Sequence, residues 1–155
     1  MVNKKKAIIC WLLVIIWMII IFSFSQNNSN QSSSKSREVV TKIVDVLEKK
    51  KTKEEKTIIV EKIHIPFRKF AHGFEYAVLC LLLLIALNTS GINGKKQLLL
   101  AIIICILYAS TDEFHQTLIS GRSGEIRDVL IDSLGSFIGL LIYKITTIIK
   151  KKLKH

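Results

Sequence analysis

Ionisable side chains occur in three segments that border or interrupt apolar stretches, namely residues 68–76, 111–116 and 121–132. A charged side chain at the centre of a bilayer costs about 2.5–3.5 kcal/mol on insertion scales, so such positions are usually functional. Histidine beside a carboxylate suits general acid–base chemistry. Arginine and lysine suit the binding of phosphate, which arginine contacts with two parallel hydrogen bonds. Together these residue types predict a site that binds an anion and can move a proton.

The candidate residues divide into two roles. Acid–base chemistry is assigned to His72, Glu75, Asp112, Glu113 and His115. Substrate binding is assigned to Lys69, Gln116, Arg122, Asp128 and Asp132, with Arg68 available beside Lys69. A divalent metal held by His72, Glu75, Asp112 and His115 is an alternative, because histidine and carboxylate ligands suit zinc or manganese. No HExxH spacing is present, so neither metal ligands nor a cofactor are assigned.

The segments that must position these residues alternate between apolar runs and charged connectors, which is typical of a membrane protein. The chain has 155 residues, half of them apolar, with 23 Lys and Arg against 12 Asp and Glu. We interpret residues 1–155 as a single membrane domain. Helices are predicted over about residues 7–24, 67–88, 97–116 and 128–149. The first of these just spans a hydrocarbon layer of about 30 Å.

The connector between the first two spanning helices, residues 25–66, begins with a polar, Asn-, Gln- and Ser-rich stretch that is predicted to be flexible. Further along, apolar residues recur at helical spacing and predict an amphipathic helix over about residues 37–50, lying on the membrane or on the bundle. The expected fold is all-α, an integral membrane four-helix bundle with an amphipathic surface helix in the first extracytoplasmic connector. A cleaved signal peptide is the alternative for the first run, but its long core and the lack of an Ala-x-Ala end favour a retained helix.

Basic clusters predict the orientation of the helices. Residues 4–6, 95–96 and 150–154 are rich in lysine and fall on one side of a four-helix layout, which the positive-inside rule assigns to the cytoplasm together with both termini. The net charge of +11 could suggest nucleic acid. Because these basic residues lie beside apolar runs, membrane lipids are the expected partners and nucleic acid is not.

This layout brings the three polar segments to one face of the membrane, because two spanning helices end there and one begins there. Asp128, Asp132, Gly135 and Gly139 are spaced by four, three and four residues, so they form one stripe on the last helix. Gly135 and Gly139 are a small-xxx-small pattern that lets a neighbouring helix approach closely. A shared polar pocket is therefore expected at this end of the bundle.

Two separated blocks, RKFAHGFEYAVLCLLLL and YASTDEFHQTLISGRSGEIRDVLIDSLGSFIG, resemble the VanZ-like family of small bacterial membrane proteins. The family's polar signature falls on Lys69, His72, Glu75, Tyr76, Asp112, Glu113, His115, Gln116, Gly121, Arg122, Asp128, Gly135 and Gly139. Asp132 stands where the family often has asparagine. The resemblance implies a multi-pass protein of the bacterial cytoplasmic membrane with a cell-envelope role. The family is named for a protein associated with low-level resistance to teicoplanin-type glycopeptides.

Two kinds of function fit these observations. The first is an enzyme or ligand-binding protein that acts on a lipid-linked cell-wall precursor or another anionic headgroup. The alternative is a non-enzymatic scaffold or accessory protein whose polar cluster only fixes helix packing. A transporter is disfavoured, because four helices leave little room for a substrate path and no inverted repeat is present. The sequence does not distinguish an enzyme from a binding protein, and it does not give the oligomeric state.

Overall fold

The computed structural model describes residues 3–27, 29–119 and 124–153, and all regular secondary structure in those ranges is helical. The helices are α1 (Lys4–Ser25), α2 (Ser29–Leu47), α3 (Lys53–Thr89), α4 (Gly94–Gln116) and α5 (Ile126–Lys152). All except α2 are long and apolar enough to cross a membrane. The predicted all-α bundle with four spanning helices and one amphipathic helix is therefore confirmed.

Helix α3 is the centre of the bundle, since it contacts each of the other four helices. Its 37 residues correspond to a length of about 55 Å at 1.5 Å per residue. A bilayer core is only about 30 Å thick, so the N-terminal part of α3 extends beyond the membrane. Helix α2 packs against that part, and among the described residues it makes no comparable contact with α1, α4 or α5.

The connector differs from its prediction in two ways. The polar stretch expected to be flexible forms the first turns of α2, which ends at Leu47, and the next helix begins at Lys53 instead of near residue 67. A capping box starts α3: the Thr52 hydroxyl accepts a hydrogen bond from the backbone N–H of Glu55, whose carboxylate accepts one from the backbone N–H of Thr52. This signal ends the connector earlier than the apolar pattern alone suggests.

Pro66 lies inside α3 without ending it. Proline cannot donate to the preceding turn and usually kinks or breaks a helix. Here a small apolar core supports the segment before it, because Val60 is buried against Val40 and Val44 of α2, with Phe67 packed alongside. Packing against α2 therefore compensates for the hydrogen bond that is missing at Pro66.

Within the membrane, close packing and polar contacts hold the helices together, because lipid is as apolar as a leucine side chain. The Trp11 indole N–H donates a hydrogen bond to Ser90 Oγ (3.0 Å), which ties α1 to the end of α3. The Tyr108 hydroxyl donates to the backbone oxygen of Met18 (2.6 Å), which ties α4 to α1. These contacts fix α1 along the α3–α4 pair.

The closest helix approach joins α3 and α5. A Cβ atom added to Gly135 would collide with the backbone of Gly73, and one added to Gly139 would collide with the backbone of Ala77. The predicted close approach through the small-residue stripe of α5 is therefore confirmed. It also brings Asp132, one turn before Gly135 and Ser136, into the interior of the bundle.

Candidate functional site

Three polar segments meet at the end of the bundle where α1 and α4 end and α5 begins, which we call the polar end. Asp132 interacts electrostatically with four other carboxylates from α3, α4 and α5 there: Glu113, Asp112, Asp128 and Glu75. Segments separated by up to 57 residues in the sequence thus lie beside one another. The side chains divide into two regions that differ in exposure.

The first region is a cavity of about 270 Å³ between the end of α1, the first half of α2 and the middle of α3, which we call the lateral cavity. Most of its wall is apolar, including Phe24, Val39 and Phe67. Its polar wall consists mainly of four ionisable side chains, Lys35, Arg68, His72 and Glu75. Of the nine predicted site residues that the structure describes, only His72 and Glu75 line this cavity.

His72 and Glu75 lie one turn apart on α3, and His72 Nδ1 is 3.7 Å from a carboxylate oxygen of Glu75. Both side chains are mostly buried, with 18% and 17% of their surfaces exposed. The Trp17 indole N–H donates a hydrogen bond to the backbone oxygen of Glu75 (2.9 Å), so α1 fixes this turn of α3. The pair is thereby held with its ionisable groups at the cavity wall, where a histidine oriented by a carboxylate can exchange a proton.

Lys35 and Arg68 give the lateral cavity positive charge. Lys35 Nζ donates a hydrogen bond to Asn27 Oδ1 (2.8 Å), and an Arg68 guanidinium nitrogen lies 3.4 Å from Ser33 Oγ. Neither side chain forms a salt bridge with any carboxylate in the described ranges. Their charges are therefore available to an anion. Sequence reasoning missed Lys35, because it lies in the polar stretch that was expected to be flexible.

The second region, the carboxylate cluster, is almost closed to solvent. It consists of Tyr76, Asp112, Glu113, Gln116 and Asp132, each with at most 6% of its surface exposed. Gln116 Nε2 donates hydrogen bonds to Ser25 Oγ (2.8 Å) and to Asp112 Oδ2 (3.3 Å), which joins α4 to the end of α1. The Tyr76 hydroxyl and one Asp132 carboxylate oxygen have no hydrogen-bond partner within the described part of the chain.

Glu113 and Gly124 hold the start of α5. A carboxylate oxygen of Glu113 accepts a hydrogen bond from the backbone N–H of Glu125 (3.0 Å), the residue that precedes α5. Negative charge is favoured at a helix N-terminus, where the backbone dipole is positive. A Cβ atom added to Gly124 would lie 2.7 Å from the backbone oxygen of Glu113, so only glycine fits this contact. Glu113, predicted to take part in acid–base chemistry, is thus placed where it positions α5.

Lys69 and Asp128, both predicted to bind substrate, form a salt bridge of 3.1 Å between α3 and α5. Glu125 lies 4.0 Å from the same amine. Lys69 is thereby directed towards the start of α5, and it does not line the lateral cavity.

The last two candidates lie apart from the cavity or outside the described ranges. His115 is partly buried against Phe22 of α1, with ring centroids 4.6 Å apart, and its Nδ1 has no hydrogen-bond partner among the described residues. Arg122 and its neighbour Gly121 lie outside the described residues. Over the ranges that are described, no three His, Cys, Asp or Glu side chains are arranged to hold a metal ion.

No curated protein and no solved structure matches this chain. The family model described as VanZ/LLP1 matches residues 10–149. That range contains the whole polar end and the spanning part of every membrane helix except the first residues of α1 and the last of α5. The resemblance read from the two sequence blocks is confirmed, and the chain is a multi-pass membrane protein that belongs to the VanZ/LLP1 family.

Proposed function

We propose that this protein binds an anionic lipid headgroup or a lipid-linked cell-wall precursor in the lateral cavity. The observation that carries the proposal is the composition of the cavity wall. Two cations, Lys35 and Arg68, line the cavity with the His72–Glu75 pair and form no salt bridge within the described ranges, and the rest of the wall is largely apolar. Ligand sites are commonly apolar cavities with a few placed polar groups.

The chemistry of the wall suits an amphiphile. Arg68 can contact a phosphate group with two parallel hydrogen bonds, while Lys35 acts as a mobile point charge. Phe24, Val39 and Phe67 offer apolar surface to the first part of a lipid chain. A volume of about 270 Å³ accommodates a headgroup, so the remainder of a bound lipid would lie along the outside of the bundle.

The His72–Glu75 pair makes an enzymatic form of the proposal specific. His72 would act as general acid or base on the bound headgroup, and Glu75 would orient it. In the binding form, protonated His72 adds a third positive charge towards the phosphate. Only the enzymatic form requires that replacing His72 abolishes function while headgroup binding is largely retained.

The cellular setting follows from the charge distribution. Lysine clusters at the end opposite the polar end favour cytoplasmic termini, and with that orientation the lateral cavity would open on the outer face of the bacterial cytoplasmic membrane. Lipid-linked precursors of the cell wall are exposed on that face. A link to glycopeptides of the teicoplanin type would then arise through such a precursor.

A non-enzymatic scaffold is the second candidate, and the carboxylate cluster favours it. Gln116 joins α4 to α1, Glu113 joins α4 to α5, and Lys69 joins α3 to α5 through Asp128. Hydrogen-bonded polar groups of this kind can fix one packing arrangement without any chemistry. The two candidates differ in whether the lateral cavity has a ligand.

Lipid binding by the purified full chain tests the proposal. Native mass spectrometry with undecaprenyl phosphate, phosphatidylglycerol and phosphatidylcholine would give Kd values for a lipid carrier, an anionic phospholipid and a neutral one. We expect an anionic lipid to bind best, and Arg68→Gln to raise its Kd about tenfold or more, since hydrogen bonds to charged groups contribute about 1.5–3 kcal/mol. The tighter of the two anionic lipids identifies the source of the headgroup.

Lys95→Gln is the matched control, because it removes one positive charge at the opposite end of the bundle. We expect its Kd to equal that of the unchanged chain. Equal Kd values for Arg68→Gln and Lys95→Gln would rule out the lateral cavity as an anion site. That result would leave the scaffold as the better description.

A further inference from the structure

Helix α2 and residues 53–67 of α3 form a pair of antiparallel helices, which we call the amphipathic hairpin, beyond the length of α3 that a bilayer core of about 30 Å can enclose. Its own core is small: Val40 and Val44 of α2 are buried against Val60 of α3. Two faces of the hairpin remain, and they differ sharply in character.

One face is polar and internally paired. Arg37 forms a salt bridge of 2.9 Å with Glu61, and Lys56 forms one of 2.9 Å with Asp45. Both ion pairs run between α2 and α3. These ion pairs hold the two helices of the hairpin together on this face.

The other face is apolar and exposed. Val39, Ile43, Val46 and Leu47 of α2 and Ile63 of α3 all expose more than 40% of their surfaces. Between the two helices lies a groove of about 180 Å³ whose wall includes Ile43, Leu47, Ile59 and Ile63. A contiguous exposed apolar surface of this kind marks an interaction site.

The direction of the apolar face indicates which surroundings it contacts. Ile59, Ile63, Phe70 and Phe74 are spaced by four, seven and four residues, so they follow one stripe along α3. Phe70 and Phe74 lie in the spanning part, are more than half exposed, and face lipid. The apolar face of the hairpin thus points to the side of the bundle where lipid lies, away from α1, α4 and α5.

Two further features fit a lipid surface. Pro66 lies at the end of the hairpin, next to the spanning part of α3, and lacks the N–H that would bond to the preceding turn, so α3 bends there more easily than elsewhere. Lys49, Lys50 and Lys62 form no salt bridge with any described residue. Unpaired lysines around an apolar stripe are the pattern of helices that lie on anionic membranes.

We propose that the apolar face of the amphipathic hairpin docks on the surface of the membrane that the chain spans, with α3 bending at Pro66 and with a preference for anionic lipid. Ile43, Leu47 and Ile63 enter the boundary between headgroups and acyl chains. The unpaired lysines lie among the headgroups. This inference does not require a ligand in the lateral cavity.

Site-directed spin labelling of the full chain in vesicles tests the docking. Cysteines are introduced as Ile43→Cys or Ile63→Cys on the apolar face, and as Thr41→Cys or Thr57→Cys on the polar face, with Cys10, Cys80 and Cys105 replaced by alanine. In vesicles of phosphatidylcholine with phosphatidylglycerol, we expect labels at 43 and 63 to collide more with oxygen than with a water-soluble nickel chelate. Labels at 41 and 57 should show the opposite ranking, and the contrast should weaken without phosphatidylglycerol.

Two outcomes would overturn the proposal. Equal access of the nickel chelate to all four positions would mean that the hairpin stands upright in water. Exclusion of both reagents from positions 43 and 63, or spin–spin broadening between them in separate copies, would mean that protein covers this face. A photo-crosslinking p-benzoylphenylalanine at position 43, compared with position 41, repeats the test with the native cysteines in place, and only position 43 should crosslink to phospholipid.

Discussion

The lateral cavity and the carboxylate cluster are both polar regions at the same end of the bundle, yet they differ in charge and in access. In the cavity, Lys35 and Arg68 form no salt bridge with a carboxylate among the described residues and face open space. In the cluster, Asp112, Glu113 and Asp132 are buried within the bundle. Glu75 lies at the boundary, since it lines the cavity and interacts electrostatically with Asp112.

This difference shows that polarity alone does not mark a ligand site in a membrane protein. Groups that join helix ends and groups that receive a ligand both interrupt apolar sequence, because both are costly to place in lipid without partners. The two kinds of group differ in whether their side chains are accessible from outside the bundle. On that criterion His72 and Glu75 are candidates for chemistry, whereas Glu113 and Lys69 are candidates for holding α5 in position.

Both regions depend on the contact between α3 and α5, so breaking that contact should have the largest effect. Gly135→Leu places a side chain where the Gly73 backbone lies, and α5 must move away. Overpacking typically costs about 1–3 kcal/mol, and more where backbone is the obstacle. We expect loss of the monodisperse, folded protein in size-exclusion chromatography and loss of its cooperative thermal unfolding.

Leu134→Phe is the control for this change. Leu134 is exposed on the lipid side of α5, so the larger phenylalanine side chain adds bulk there without a clash. Its unfolding should match that of the unchanged chain. Cooperative unfolding of Gly135→Leu at an unaltered Tm would contradict the close helix approach.

A matched pair of substitutions separates the two regions directly. Glu113→Gln weakens the hydrogen bond that the start of α5 receives and leaves a poorly paired buried group, which costs about 1–3 kcal/mol. His72→Gln changes a side chain at the cavity wall that lies 3.7 Å from Glu75 of the same helix. We expect a lower Tm with Glu113→Gln, and an unchanged Tm with loss of cellular function for His72→Gln.

The result would be read from thermal unfolding in detergent and from complementation of a deletion strain at matched protein levels. Equal destabilisation by both substitutions would remove the distinction between the regions. Full complementation by His72→Gln would argue against any acid–base role of the cavity.

Sequence reasoning reached the bundle but not the division of the polar end. Apolar runs predicted the spanning helices, and the spacing of Gly135 and Gly139 predicted a close helix contact on α5, whose partner the structure identifies as α3. Spacing shows which residues share a helical face, but it does not show which neighbouring element or cavity that face contacts. His72 and Glu75 line the cavity, whereas Tyr76 follows Glu75 by one residue, about 100° around the helix, and is fully buried in the cluster. That outcome depends on how α3 is rotated against its neighbours.

The start of α3 and the position of Lys35 were missed for different reasons. The Thr52–Glu55 capping box was readable as a helix start, but Pro66 suggested a later one. Lys35 could be placed at the cavity only after α2 was known to begin at Ser29, since a helix fixes which side chains of a polar stretch face α3.

The smallest expected effect concerns the Lys69–Asp128 salt bridge, which decides whether Lys69 positions α5 or binds ligand. Lys69→Asp and Asp128→Lys each remove one partly exposed ion pair, and we expect each to lower the free energy of unfolding by about 1 kcal/mol or less. The double substitution reverses the pair and should restore part of that loss, but not all, because Asp128 also favours the N-terminus of α5. A double-mutant cycle measured by unfolding in mixed micelles gives the coupling energy. If Lys69 only positions α5, the double variant regains lipid binding together with stability; if Lys69 contacts the ligand, stability returns and binding does not.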